Sequence, residues 1–337
     1  MHSEVELMRA LFIGGTGNIS TASSRLAIER GWELYLLNRG TRKVTIPGAQ
    51  SIVADINEPK QVAQAIKDLY FDVVVNWIAF KPEDVGRDIE LFTGKTDQYI
   101  FISSASAYQK PPGHPVITES TPLANPYWEY SRQKIACENL LMAHYRDSGF
   151  PVSIVRPSLT YDTVIPMSLG CWADYTLVDR MKRGLPIVVH GDGTSLWTIT
   201  HSEDFAQGFV GLMAQKQAIG HAFHITSDEI LTWNQIYQSL ADAAGVQAIV
   251  VHVASDTIAD VADALGMANV RGSLFGDKAH SVIFDNTKIK TFVPQFNATI
   301  CFDHGIRKTL AWFEEDAQRM KIIPHNNQLL DAILKRS

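Results

Sequence analysis

The sequence predicts a doubly wound parallel α/β sheet with a second, smaller α/β unit following it. Three observations carry this. Short apolar runs alternate with helical patterns as far as residue 160. The runs are apolar throughout, as in strands covered on both faces, rather than alternating. The first run ends in a glycine-rich turn that opens a helix.

The elements follow in order. Arg9–Ile13 is a strand ending at Gly14, and Ile19–Arg30 has helical spacing until Gly31 stops it. Trp32–Leu37 and Ser51–Ala54 are the next two strands. Pro59 sits in the first turn of a helix running to Leu69, where its missing N–H costs nothing. Asp72–Trp77 and Gln98–Ser103 are strands on either side of a helix at Pro82–Phe92. A long helix from Tyr127 to Ser148 precedes a sixth strand, Val152–Val155. Right-handed crossovers between such strands give the doubly wound fold. Beyond Pro157 the pattern loosens, with helices expected near 172–183, 203–215, 232–244, 254–266 and 304–318 and strands at 186–190, 220–226 and 248–253. The expected division is a first domain at 1–160 that regains about 200–228, interleaved with a smaller domain at 161–337. His221–Thr226 is the strand expected to return to the first sheet.

Composition narrows the function. The 337 residues are 46% hydrophobic and 20% charged, the balance of a globular chain. Thirty basic against 36 acidic residues give −6, which argues against a nucleic-acid surface. No run approaches the ~18 apolar residues of a membrane span. Met1-His2-Ser3-Glu4 lacks the positive charge of a signal peptide, so a cytoplasmic location is expected. Cys137, Cys171 and Cys301 are too dispersed for a metal site and read as reduced thiols. His190, His201, His221, His224 and His252 show no metal-ligand spacing, so no metal is expected.

Gly14-Gly15-Thr16-Gly17-Asn18-Ile19-Ser20 stands in the strand–turn–helix context that a pyrophosphate requires. Such a turn lets backbone approach the phosphates and aims a helix N-terminus at them. The departure is Ser20, where glycine or alanine is usual, and looser helix–sheet packing is expected there. The second strand ends in Asn38-Arg39, without the carboxylate that binds the ribose of NAD. A guanidinium suits a 2′-phosphate, so NADP(H) is favoured over NAD(H). Asp55 could accept from the adenine amino group or cap a turn.

Tyr130 and Lys134 lie one helical turn apart. A phenol has a pKa of ~10, and a neighbouring ammonium is expected to lower it toward use as a general acid/base. Ser104 and Ser106, at the carboxyl end of the fifth strand, could hydrogen-bond a reacting oxygen.

With GGTGNIS, LNRG, VVNWIAF, FISSASAY, YSRQK, VRPSLTY and GDGTSLWTITHSEDFA in register, nearly the whole chain resembles an extended short-chain dehydrogenase/reductase of the NAD-dependent epimerase/dehydratase group. The resemblance implies a Rossmann cofactor domain and hydride transfer at a hydroxyl or carbonyl carbon of a sugar-like or small polar substrate. It gives Ser104 the catalytic serine position, Tyr130 the catalytic tyrosine and Lys134 the partner lysine that holds the nicotinamide ribose. Ile78 and Ala79 would line the cofactor trough, and Ile56 and Pro157 belong to the same site. Sugar 4,6-dehydratases carry Asp-Glu after the catalytic serine, whereas Ala105-Ser106 stand here, so dehydration by that route is not expected. Nucleotide-sugar enzymes commonly carry an arginine where Trp197 stands and an asparagine where Leu159 stands. A substrate without a nucleoside diphosphate is therefore expected, with Trp197 as an apolar wall, unless Arg180, Lys182, Arg183 or Arg271 reaches a diphosphate from another direction. A homodimer is implied by resemblance alone. LNRG also resembles atypical relatives that include chloroplast stem-loop RNA-binding proteins. The alternatives to an enzyme are therefore a non-catalytic NADP-binding regulator, disfavoured by the intact Tyr130 and Lys134, and an RNA-binding protein, disfavoured by the charge.

Overall fold

The structure, a computed structural model, describes residues 7–41, 44–169 and 172–336. Cys171 and the Met1–Glu4 segment lie outside the described residues. The first half is built from β1 (Arg9–Ile13), α1 (Ser20–Glu29), β2 (Glu33–Asn38), β3 (Gln50–Val53), α2 (Pro59–Ala65) and β4 (Phe71–Asn76), followed by α3 (Pro82–Phe92), β5 (Thr96–Ile102), α4 (Glu129–Ser148) and β6 (Val152–Pro157). Each strand found by its apolar run is present, with ends shifted by one or two residues. Pro59 and Pro82 each sit in the first turn of their helix. α4 stops at Gly149, whose φ of +73° costs glycine nothing.

Ala222–Ile225, here β7, adds to β6 as a parallel neighbour. The sheet order is β7-β6-β5-β4-β1-β2-β3, parallel throughout. Side chains alternate across it. Phe12, Leu34, Leu36 and Val75 pack with Phe205 and Phe209 on one face. Leu11, Ile13, Val74 and Phe101 pack with Val85, Ile89 and Leu141 of α3 and α4 on the other. Two covered faces are why the strands read as continuously apolar. Strand order reverses between β1 and β4, so a crevice opens beyond their carboxyl ends.

The second half surrounds its own core, which includes Trp197, Trp233, Tyr237, Phe302 and Phe313. Its strands pair two by two: Leu159–Tyr161 with Ile199–His201, and Ile187–His190 with Val250–Val253. Helices at Thr176–Lys182, Ser202–Leu212, Trp233–Ala243, Ser255–Ala264 and Phe302–Glu314 fall where spacing placed them. Several elements had no sequence signal, among them the helices Asn269–Ser273, Thr287–Phe292 and Pro324–Leu334 and a π-helical turn at Leu274–Lys278. Among the described residues no helix is long and apolar enough to cross a membrane. Nor does any group of three or more His, Cys, Asp or Glu side chains among them form a metal cluster. Cys137 is buried, Cys301 is exposed, and both are unbridged.

Candidate active site

The glycine turn is fixed by conformation and by space. Gly14 and Gly15 have φ of +100° and +87°, which L side chains rarely adopt. A Cβ on Gly15 would lie 2.6 Å from Leu36 Cδ2, and one on Gly14 would lie 3.2 Å from Ile78 Cγ2. Ser20 does not loosen the turn. Its buried hydroxyl accepts from Gly17 N at 2.8 Å, and Ser24 Oγ donates to Gly15 O at 2.8 Å. Two serines thus hold the loop where packing against glycine would otherwise do so.

The turn floors a cleft of about 710 Å³, within the ~300–1,000 Å³ usual for ligand sites. Gly14, Thr16, Gly17, Asn18 and Ile19 line it, with Asn38 and Arg39 from the end of β2, Asp55 and Ile56 after β3, and Ile78 after β4. Asn18 Nδ2 donates to Thr160 O at 2.9 Å, while Asn18 Oδ1 and Trp77 Nε1 are buried without hydrogen-bond partners among the described residues. A positive-φ turn at a helix N-terminus, close backbone approach and orphaned polar atoms fit a dinucleotide. Ala79 and Pro157 do not line the cleft. Ala79 is buried against the sheet, and Pro157 is a ladder residue of β6 opposite Ile225. Sequence reasoning missed Trp172, an indole from the second half that reaches the same cleft, and Ile102 at the end of β5.

Beyond that end the chain turns into a short 3₁₀ segment at Ala105–Ala107. Ser104 stays half-buried, whereas Ser106 is 3% exposed and faces inward. The turn, which ends the two-residue alternation of the strand, is why Ser106 does not share Ser104's outlook. Ser131 Oγ donates to Ser106 Oγ at 2.8 Å, and Ser106 Oγ lies 2.9 Å from Ser104 Oγ. Ser106 therefore supports Ser104 from behind and is not positioned to touch a substrate.

Lys134 is buried, and its ammonium donates to Ala79 O at 2.7 Å and Ile102 O at 2.8 Å. It also lies 4.6 Å from the centre of the Phe80 ring and 5.8 Å from that of Tyr130. Burial pulls the lysine down to about 8. Burial likewise pushes the Tyr130 phenol up to about 12, opposed by the hydrogen bond with Ser104 and aided by Asp277. The expected lowering of the phenol by Lys134 is therefore corrected: burial is the largest influence on Tyr130, and the ammonium is directed to carbonyls. Tyr130, Lys134 and Ser104 do lie together at the end of β5, next to Ile102, although none of the three is among the residues that line the cleft.

Trp197 is a further correction. It is 1% exposed and packs on Trp233 with ring centres 5.6 Å apart, in the core rather than on a wall. Leu159 is also buried. The four candidate cations have local partners: Arg180 with Asp331, Lys182 with Glu314, Arg183 with Asp179, and Arg271 with Asp260 and Asp263.

Residues 10–226 match the NAD dependent epimerase/dehydratase family. The chain is similar to a 2′-dehydrokanamycin reductase from Streptomyces kanamyceticus, 25% identical over 72% of this chain and 68% of that protein. Its fold is similar to that of the epimerase Mth375 from Methanothermobacter thermautotrophicus. That match has a TM-score of 0.74 and 15% identity, and covers 93% of this chain and 94% of the other. It is also similar to a UDP-glucuronic acid 4-epimerase from Bacillus cereus solved with UDP-glucuronic acid and NAD. There the TM-score is 0.70 and the identity 18%, covering 91% and 99% of the two chains. The chain belongs to the NAD-dependent epimerase/dehydratase family, as an NAD(P)-dependent oxidoreductase or epimerase of the extended short-chain dehydrogenase/reductase type.

Proposed function

We propose that this member of the NAD-dependent epimerase/dehydratase family interconverts a hydroxyl and a carbonyl on a small sugar-like substrate, using NADP(H) in preference to NAD(H). The observation that carries the reading is the convergence of Tyr130, Ser104 and Lys134 on the end of β5, next to Ile102, which itself lines the cleft floored by the glycine turn. When bound, the cofactor supplies or accepts hydride at its nicotinamide ring. In reduction, Tyr130 gives its phenolic proton to the substrate oxygen, and in oxidation the phenolate takes it back. Ser104 donates to that oxygen, oriented by the Ser131 and Ser106 hydroxyls behind it. Lys134 supports the phenolate electrostatically and ties the segment after β4, at Ala79 O, to the end of β5, at Ile102 O.

Arg39 supports the NADP(H) preference. It lines the cleft, and no ion pair engages it among the described residues. Asn38 Oδ1 accepts from Gly40 N at 2.9 Å, so no carboxylate stands where it would repel a 2′-phosphate. The absence of a diphosphate from the substrate is supported by the four paired cations and by buried Leu159 and Trp197. A desolvated diphosphate needs charged partners. Reduction, the activity in the name of the Streptomyces reductase, is the reaction class that fits best, here at a carbonyl. The test is turnover of a panel of small sugars, ketones and polyols with NADPH or NADP⁺. Tyr130→Phe should bind cofactor as the parent does and lose activity. A variant turning over at the parent rate would refute the assignment.

A further inference from the structure

Two walls of the cofactor cleft are held from outside it by one turn of α3. Where the chain leaves β4 it bends to bring Ile78 onto the cleft, and the backbone N–H groups of that bend need acceptors. Ile78 N donates to Asn76 Oδ1 at 2.8 Å, and Phe80 N and Lys81 N donate to Asp84 Oδ2 at 2.8 and 3.0 Å. An amide oxygen fixes a backbone only if the amide itself is fixed. Asn76 Nδ2 donates to Asp88 Oδ2, which also accepts from the Tyr99 hydroxyl at 2.6 Å. Asn76, Asp88 and Tyr99 are fully buried, and a buried carboxylate is costly unless donors surround it. Arg87 Nη2 supplies a third donor, to Asp88 Oδ1 at 3.3 Å.

Neighbouring residues on a helix point roughly 100° apart, so Arg87 and Asp88 reach different loops. Arg87 Nη1 donates to Asn57 Oδ1 at 2.9 Å, in the loop after β3, and Asn57 N donates to Asp55 Oδ1 at 2.9 Å. Asp55, Asn57 and Ile78 line the cleft, whereas Arg87 and Asp88 do not. In the sheet, β1 and β2 lie between β4 and β3. The two residues therefore join the loops on either side of the glycine turn that follows β1. Ile78 is coupled to that turn directly, because a Cβ on Gly14 would lie 3.2 Å from its Cγ2.

We propose that Arg87 and Asp88 are a positioning pair for the adenosine diphosphate half of the cofactor, Arg87 setting Asp55 through Asn57 and Asp88 setting Ile78 through Asn76. The inference rests on the reading of this cleft as the cofactor site. Asp55, with one oxygen engaged by its own loop, presents the other to the adenine amino group. Ile78, held by Asn76, keeps the glycine turn in place against the diphosphate.

The test is titration of the parent and three variants with NADPH, NADH and ADP, which keeps only the adenosine diphosphate half. Asn76→Leu and Tyr99→Phe form a matched pair. Each takes one donor from the same Asp88 oxygen, and only the first also frees Ile78. A loss through weakened packing would appear in both. Asn76→Leu should weaken all three ligands at least fivefold, and Tyr99→Phe should stay within twofold of the parent. Arg87→Met, which keeps the aliphatic stem and loses the bond to Asn57, should weaken all three at least threefold. Parental affinity in either Asn76→Leu or Arg87→Met, or a Tyr99→Phe loss equal to that of Asn76→Leu, would overturn the positioning pair. If Asn76→Leu fails to fold, Arg87→Met decides. The predicted ratios are the same for NADPH and NADH, so they do not depend on which cofactor the parent prefers. A parent that binds none of the three ligands would instead refute the cofactor cleft itself.

Discussion

Gly15 and Gly31 offer a matched pair of substitutions. Both have left-handed backbone, with φ of +87° and +85°. A Cβ on Gly31 would meet nothing within 4 Å, whereas one on Gly15 would lie 2.6 Å from Leu36 Cδ2 and 3.3 Å from Phe12 Cβ. Gly31→Ala therefore carries only the conformational term of ~1–2 kcal/mol, partly offset by the lost entropy of the unfolded chain. Gly15→Ala adds an overpacking term of ~1–3 kcal/mol, because Leu36 is 5% exposed and has little room to retreat. The two should differ by about 1–3 kcal/mol in urea unfolding at constant m. Leu36 also lines the cleft, so Gly15→Ala should weaken NADP(H) by about tenfold, or ~1.4 kcal/mol, in a fluorescence titration. Gly31→Ala should leave that affinity alone. Variants of equal stability, or a Gly15→Ala protein with parental cofactor affinity, would refute the claim that close approach at Gly15 shapes the cofactor site.

Tyr130→Phe should lower turnover by ~10² or more in initial-rate assays, since general acid–base catalysis contributes about that much. Arg39→Ala should weaken NADP(H) and leave NAD(H) nearly unchanged in parallel titrations, because only the former carries a 2′-phosphate; an equal loss for both would count against the preference. Lys134 should titrate near pH 8 in lysine-selective NMR, well below its ordinary 10.5. Between those values the unfolded chain binds the extra proton, so stability should rise with pH across that window. The rise should be absent in Lys134→Met, compared by urea midpoints at pH 7.5 and 10.

Features that the backbone itself enforces were legible in the sequence. Glycines between a strand and a helix mark a turn with positive φ, and residues four apart on a helix share a face whatever surrounds them. The strands were legible because both sheet faces are covered. Side-chain direction at the ends of elements was not. Trp197 was placed by counting from His201, yet it sits in a two-residue strand pairing with Leu231–Thr232, where spacing does not say which face looks inward. Ser106 shares strand parity with Ser104 only if the strand continues, and the chain turns instead at Ala105. The turn at Leu274–Lys278 carried no signal, because nothing local reveals that Asn125, Trp128, Trp233 and His190 hold it against α4.

The spacing of Tyr130 and Lys134 established nearness but not the sense of the electrostatics, and that difference bears on how the pair can act. An ammonium has three donors and a neutral amine two. Lys134 directs two donors to Ala79 O, in the segment that follows β4, and to Ile102 O, at the end of β5. Loss of its proton leaves both bonds possible and removes only the third donor, together with the charge. With the amine at about 8, charge and third donor are both present at neutral pH and both lost a little above it, while the staple between those two segments persists. Tyr130, raised by burial, is then a phenol that holds its proton until substrate and cofactor change its surroundings. An acid kept protonated beside a cation kept only marginally charged suits the direction that donates a proton. For that reason carbonyl reduction, rather than alcohol oxidation, is the direction in which this site should run faster at neutral pH.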